Sequence, residues 1–384
     1  MILYIAKRGK HDISSRTHLQ ALKQIYGENN IFIVDLLNEL RTERERYISF
    51  GKYQGIGERM QRWIQGNVAF IDNKIIDQII RIIQEYQITF IFSEESDLGN
   101  LMKRIKAVRP DCYIVCFYHD ITADLFAQRR RQASWKKIHY KLLDCNITIH
   151  QEKVNQKYCD ENWVFHKYDA DKFVRFYGYE PDAVIPLASF IPIVDDKTKN
   201  SIVPAGSHKK ILFVCSAYYV NKLGFKWFYK YVLPGLTFDF QIDVVGTGSK
   251  GLGDFCRDRR INLLGPADQL SQYYLDADIV ITPIFDGGGM KVKTVEAVSY
   301  GKCIVGSSES LHGYWEKMPD SVRENVVFQC DKADEWIHAL ETLGAQDTRK
   351  FNENLFDIYR SYFSYEAMLK LFEKELDRIN GSSL

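Results

Sequence analysis

The feature that most constrains this chain is an alternation. Short apolar runs of strand length are followed by longer stretches whose apolar residues recur at helical spacing. Strand then helix, repeated, predicts parallel sheets with helices on both faces. The first series places strands near residues 2–6, 31–36, 88–92, 113–118, 147–149 and 162–166, with helices near 18–26, 75–86 and 98–108. A polar run with Pro204 and Gly206 then breaks the rhythm. The second series places strands near 211–215, 241–245, 262–264, 279–284, 303–306 and 326–328, with helices near 225–233, 269–275, 292–299 and 333–343. A chain of 384 residues is too long for one ordinary core and suits two of roughly 180 each. The expected class is α/β, with two Rossmann-like doubly wound domains facing across a cleft. They would occupy 1–195 and 209–364, joined by a linker at 196–208, and an amphipathic helix would follow over 365–384.

Charge excludes one class of partner. With 51 Lys and Arg against 50 Asp and Glu, no global field argues for nucleic acid. No apolar run reaches the ~18 residues that a membrane span needs. The first residues are apolar and charge follows them, the reverse of a secretory leader, so a buried first strand is expected. Eight cysteines with no CxxC read as buried thiols of a reducing cytoplasm. No zinc pattern or other metal set is expected.

Residues 241–251, QIDVVGTGSKG, carry a strand followed by G-x-G-x-x-G. Such glycines let a helix N-terminus approach a pyrophosphate. Three features oppose a dinucleotide site: the position at the second strand of the second series rather than at the chain's first strand-to-helix turn, the lack of a long helix after it, and no acid ending the next strand, which reads Asn262-Leu-Leu-Gly265. Gly246 and Gly248 are expected instead to form a tight strand-to-loop turn facing the cleft, and so to stand among the donor contacts.

Residues 277–313 carry more chemistry. A buried strand runs to Pro283 and Ile284, then Asp286-Gly-Gly-Gly289 opens a helix. Three glycines bring backbone close to a ligand, and the free N–H groups of a first turn suit an anion. Lys291 and Lys293 add cations fit for a diphosphate. Glu296 lies three residues after Lys293, on the same helix face, where a carboxylate can accept two hydrogen bonds from a ribose diol. A plain surface helix with a Lys/Glu pair is the competing reading.

This stretch resembles the donor-binding element of GT-B glycosyltransferases of group 1, the family 4-like type. Their G-G-G-x-[KR]-x-K-x-x-E-A pattern matches GGGMKVKTVEA at 287–297. Upstream, 212–234, IDVVGTG and INLLGPADQLSQYYLDADIVI resemble the same family, so the likeness is good over about 210–313 and weak before it. It implies a nucleotide-sugar donor and a glycan or lipid-linked acceptor. It implies that Glu296 binds the donor ribose, that Gly288, Gly289 and Lys291 lie by the diphosphate and sugar, and that Lys222 contacts phosphate. His119 would touch the transferred sugar from the first domain, although a core or capping histidine is an equal reading of that residue. The family's usual E-x7-E pair has Gly288 at its first position here, which leaves the sugar's identity open. Without a D-x-D beside the glycines, leaving-group charge would be met by lysines and amides, so metal-free transfer with no cofactor is expected. Retention is the family's habit; for inversion, Asp120 or Glu94 would be the base. The rival readings are a nucleotide-sugar 2-epimerase of the same fold and a partner subunit that binds donor without catalysis.

One further run stands out. Residues 128–142 contain Arg129, Arg130, Arg131, Lys136, Lys137 and Lys141 with no acid. Such a stretch can rest on an anionic leaflet, which would place a cytoplasmic enzyme on the membrane's inner face, or it can be a solvated helix face.

Overall fold

The computed structural model describes residues 1–7, 12–38, 46–51, 55–132, 140–323 and 325–382. The chain divides into two units, Met1–Pro186 with Leu369–Leu384, and Leu187–Met368.

The first unit holds β1 (Ile2–Ala6), β2 (Ile31–Asp35), β3 (Tyr47–Ser49), β4 (Phe90–Ser93), β5 (Tyr113–Tyr118), β6 (Glu161–Val164) and β7 (Ala183–Val184). They form one sheet in the order β3-β2-β1-β4-β5-β6-β7, every pair parallel. Strand order reverses between β1 and β4, the place where a doubly wound sheet opens a ligand crevice at its carboxyl ends. Leu3, Ile5, Val34, Ile91 and Ile114 point to one face and pack with Ile76, Ile79 and Ile83 of helix Asn73–Glu85 and with Met102 and Ile105 of helix Gly99–Val108. The other face is aromatic. Phe92 and Trp163 meet Phe372 of the last helix at 5.7 and 5.4 Å between ring centroids, and Arg378 donates to Glu161 at 2.7 Å. That is why residues from Leu369 onward belong to this unit.

One expected strand is absent. Residues 147–149 lie inside helix Cys145–Tyr158. Helical spacing brings Gln151, Glu152 and Asn155 to one buried side, where they bond Asn100 N, Thr122 N and Cys116 Sγ; this outweighs the β preference of Ile-Thr-Ile. The edge strand β3, helix Ile56–Ile64 and β7 lie where no element was expected.

The second unit contains β8 (Ile202–Val203), β9 (Lys209–Val214), β10 (Phe240–Val245), β11 (Ile261–Gly265), β12 (Ile279–Thr282), β13 (Cys303–Gly306), β14 (Val327–Gln329) and β15 (Thr348–Arg349). Its main sheet runs β11-β10-β9-β12-β13-β14, again all parallel, with the switch between β9 and β12. The break between units falls after Pro186 rather than at 195. Leu187 N donates to Met290 Sδ, and Ser189 exchanges backbone bonds with Phe363 and Tyr365, so the chain joins the second unit early. Residues 196–208, expected as a linker, are built in: helix Asp196–Asn200 is capped by Asp195, and β8 pairs antiparallel with β15. The buried Lys209 ammonium places its three N–H donors among four acceptors, Val203 O, Pro204 O, Gln346 O and Thr348 Oγ1.

All eight cysteines are buried and free. Among the described residues no helix is long and apolar enough to cross a membrane.

Candidate functional site

At the switch point of the second sheet, β12 ends at Thr282 and residues 283–291 lead into helix Val292–Ser299. Gly287 and Gly289 hold φ of 117° and 62°, a left-handed backbone that glycine adopts without strain. The loop lies directly on helix Tyr219–Tyr231: a Cβ on Gly224 would stand 1.6 Å from Pro283 O. Asp286 ties the approach together, accepting from Gly287 N at 2.7 Å and from Tyr219 OH at 3.0 Å.

The charged groups expected here are present, with partners that the sequence did not show. Lys291 Nζ donates to Gly288 O and Gly289 O, each at 2.9 Å, and pairs with Glu309 at 2.8 Å. Burial would raise the Glu309 carboxyl, but the His312 bond and the Lys291 charge outweigh it and hold it at about 2. Lys291 is therefore a brace across the glycine turn as well as a cation. Lys293 donates to Val214 O at 2.6 Å and to Asn221 Oδ1, and burial pulls its ammonium down to about 8. Glu296 Oε2 accepts from Tyr274 OH at 2.8 Å, while Oε1 has no hydrogen bond among the described residues. Burial lifts this carboxyl to about 7, against the pull of Tyr274 and Lys293. Lys222 is exposed and faces Asp254 across 3.3 Å of solvent-rich surface, so it can exchange that partner for another anion at little cost.

Gly246 and Gly248 do a different job. Their amides donate to Gly265 O at 2.7 Å and Cys215 O at 2.8 Å. A Cβ on either would fall within 2.4 Å of Cys215 O or 2.1 Å of Ser216 O. These glycines let the ends of β9, β10 and β11 lie together, and only the short turn Ser249–Leu252 follows them. Neither amide is left for a donor, contrary to their expected place among the donor contacts. Asn221, Gly224, Tyr274 and Glu309 were not anticipated. Gly224 alone carried a signal, a glycine in mid-helix.

At the switch point of the first sheet, Glu94 follows β4 and is enclosed. Its carboxylate takes His18 Nδ1 at 3.1 Å, His119 Nε2 at 2.7 Å and Tyr4 OH at 3.0 Å. Burial pushes this carboxyl up, but its interactions with His18 and His119 outweigh that and hold it well below the usual range. Glu94, expected as an alternative base, is a poor one: its oxygens are occupied and it has little affinity for a proton. His119 is 7% exposed and its Nδ1 meets Ser14 Oγ at 3.2 Å. Asp120 is partly exposed, with a buried Oδ1 that has no partner among the described residues. The cap of helix Ile13–Tyr26 is Asp12, which accepts from Ser15 N at 3.0 Å.

Part of the basic run is visible. Arg129 lies over the Phe126 ring and Arg130 donates to Asn146. Lys136 and Lys137 lie outside the described residues, as do the side chains of Arg131 and Lys141. Nearby, Arg59 and Trp63 of helix Ile56–Ile64 both bond Asp144, and that helix leaves Ile56 80% and Ile64 84% exposed.

Residues 208–346 match the model of the glycosyl transferases group 1 family. No curated protein matches the chain. Among solved structures, HepE of Anabaena in complex with UDP and glucose is 13% identical with a TM-score of 0.65, covering 98% of this chain and 99% of its own. The apo lipopolysaccharide outer core galactosyltransferase WaaB is 12% identical with a TM-score of 0.61, covering 98% and 99%. A UDP-forming α,α-trehalose-phosphate synthase from Burkholderia xenovorans with glucose-6-phosphate is 11% identical with a TM-score of 0.62, covering 98% and 100%. Their identities are low, and what they share with this chain is the fold, two doubly wound sheets end to end in sequence. Over residues 208–346, wholly within the second unit, the chain is similar to the glycosyl transferases of group 1, and its two doubly wound units share the GT-B fold of these structures.

Proposed function

We propose that the chain transfers a sugar from a nucleoside-diphosphate sugar to a glycan or lipid-linked acceptor, in bacterial surface polysaccharide or glycoconjugate synthesis. The observation that carries this reading is the half-satisfied Glu296 carboxylate beside the braced glycine turn, at the switch point of the second sheet. Its free oxygen suits a ribose hydroxyl, and Tyr274 fixes its orientation. The glycine turn suits a diphosphate, with Lys291 and the exposed Lys222 as counter-charges. Lys293 contributes through position, since its ammonium already holds Val214 O and Asn221.

In the reaction the anomeric carbon–oxygen bond to the diphosphate breaks and the electron pair leaves with the nucleoside diphosphate. An acceptor oxygen bonds the anomeric carbon and passes its proton to the departing diphosphate oxygen, with retention of configuration. Lysine charge and backbone amides meet the growing negative charge without a metal. His119 and Asp120 are the catalytic candidates of the first unit. Two of the similar structures were solved with UDP and glucose or with UDP-glucose, which favours a UDP-sugar donor. Attachment to an anionic leaflet through Arg129, Arg130 and the rest of the run belongs to the same proposal, and the exposed Ile56 and Ile64 add apolar contact beside it.

The test is a panel of UDP-, GDP- and dTDP-sugars, read first by thermal shift and then by release of nucleoside diphosphate with and without glycan acceptors. Stabilisation by one nucleotide class and acceptor-dependent release support the reading. Turnover of the donor to an epimer without acceptor would replace it with the epimerase.

A further inference from the structure

The polar chain at the first unit's switch point has more contacts than its ordinary protons can fill. Asp12 Oδ1 and Ser14 Oγ are 2.5 Å apart, Ser14 Oγ and His119 Nδ1 3.2 Å, and His119 Nε2 and Glu94 Oε2 2.7 Å. Two ends of this chain are carboxylates, which only accept when ionised. Ser14 has one proton. Spent on Asp12, it leaves a serine lone pair facing Nδ1, so Nδ1 must donate. Spent on Nδ1, it leaves two oxygens 2.5 Å apart with no proton between them unless Asp12 is protonated. Nε2 must donate to Glu94 in either case. The three contacts need three protons, and a neutral imidazole with Ser14 supplies two.

Among the described residues, the other neighbours do not supply the third. Tyr4 OH has one proton, shared between Ser15 O at 2.9 Å and Glu94 at 3.0 Å. His18 must use its Nδ1 proton on Glu94. Its Nε2 has no partner among the described residues, and the ring lies 4.4 Å from Phe117 and 5.1 Å from Phe372, so a second proton there would be a buried unpaired donor. Phe117 and Phe165 flank His119 and carry no charge; Asp120, the next residue, adds a further anion. An imidazole is more basic than a carboxylate by about 2–3 pKa units, which decides where the extra proton resides.

We propose that Asp12, Ser14 and Glu94 hold His119 as an imidazolium, and that Ser14 and Glu94 are positioning residues through which His119 acts as a fixed cation. With both ring N–H groups engaged, His119 does not shuttle a proton. It supplies charge in place of a proton. This role rests on the transfer reading above; the protonation state does not.

The two are separated by measurement. Imidazole ¹H–¹⁵N spectra of the full chain at pH 7.5 should show both nitrogens of His119 protonated in wild type. Ser14→Ala should convert it to the neutral form with the proton on Nε2, and Ser14→Thr, which keeps the hydroxyl, should restore the imidazolium. With the best donor from the panel, Ser14→Ala should lower kcat about tenfold or more with KM for donor changed less than threefold, and Ser14→Thr should recover most of it. A neutral His119 in wild type overturns the proposal regardless of activity. An imidazolium that Ser14→Ala abolishes with no change in kcat overturns the catalytic part. No transfer by wild type with any donor removes the glycosyl-transfer reading alone, and the spectra still decide the relay.

Discussion

Gly224→Ala tests the geometry of the second unit's site with one methyl group. The added carbon would meet Pro283 O at 1.6 Å and Pro283 C at 2.8 Å, where ordinary contact begins near 3.4 Å. The helix and the loop must separate by more than 1.5 Å, roughly the length of a carbon–carbon bond. Overpacking of a rigid site costs about 1–3 kcal/mol, and an overlap with backbone stands at the upper end. Separation also stretches two ties. The Lys293 bond to Asn221 is charge-assisted and contributes about 1.5–3 kcal/mol, and Tyr219 to Asp286 is exposed and contributes about 1 kcal/mol or less. Alanine's better helix propensity returns about 1 kcal/mol. The expected net loss is about 3–5 kcal/mol in urea unfolding, together with loss of nucleotide-induced thermal stabilisation. Gly251→Ala is the control, because nothing lies within 4 Å of its Cβ. If Gly224→Ala costs under 1 kcal/mol, or no more than the control, the close approach of helix and loop is not what holds the turn.

Other outcomes follow from the same residues. Glu296→Ala should weaken donor binding by about 1–3 kcal/mol, the cost of stranding hydroxyl partners, with the unfolding midpoint little changed; unchanged affinity by calorimetry would take Glu296 out of the site. Turnover should persist in EDTA, and a loss that Mg²⁺ or Mn²⁺ restores would overturn the metal-free mechanism. Glu309 has a depressed folded pKa of about 2, so its stabilisation is fully present above about 4.5 and is lost as pH falls toward 2. The stability gap between wild type and Glu309→Gln should therefore be on the order of 2–3 kcal/mol at pH 7 and shrink by pH 3.5, whereas a constant gap would mean that the Lys291 brace is not electrostatic. Pelleting with phosphatidylglycerol vesicles should fall with salt, and should fall again when Arg129, Arg130 and Arg131 become Ser; equal pelleting of both proteins would leave the run a solvated face.

The second unit was the more legible half because its signals are local. A glycine turn, the two lysines and Glu296 lie within ten residues, so helix spacing alone brings them together, and the strand-helix rhythm fixes where they stand on the sheet. Legibility failed where a role depends on which chain lies alongside. Gly246 and Gly248 look like ligand glycines in sequence, yet their missing side chains make room for Cys215 and Ser216, thirty residues earlier. Residues 147–149 look like a strand because Ile and Thr favour one. What decides them is Glu152, whose carboxylate accepts from Thr122 N and Ala123 N and so caps the neighbouring helix Thr122–Gln132. Burial raises that carboxyl to about 7 despite four hydrogen-bonding partners, a cost the strand reading has no means of seeing.

The first unit shows the same limit in its chemistry. Tyr4, Asp12, Ser14, His18, Glu94 and His119 are spread over more than a hundred residues and share no spacing. Each taken singly has a bland reading: a strand tyrosine, two helix-cap residues, two core histidines, an acid at a strand end. Only sheet order makes them neighbours, because β1, β4 and β5 are adjacent and all end on the same side. Parallel strands place every loop that follows them at one edge, so polar residues that close separate strand–helix units collect there without any local pattern. Burial then turns proximity into constraint. A buried carboxylate must be matched by donors, and matching Glu94 fixes Nε2 of His119, which fixes what Ser14 must accept and what Asp12 must receive. The protonation state of one histidine is thus set by residues on three elements, and the sequence position of His119 at the end of a strand marks where such a chain can form but not that it does.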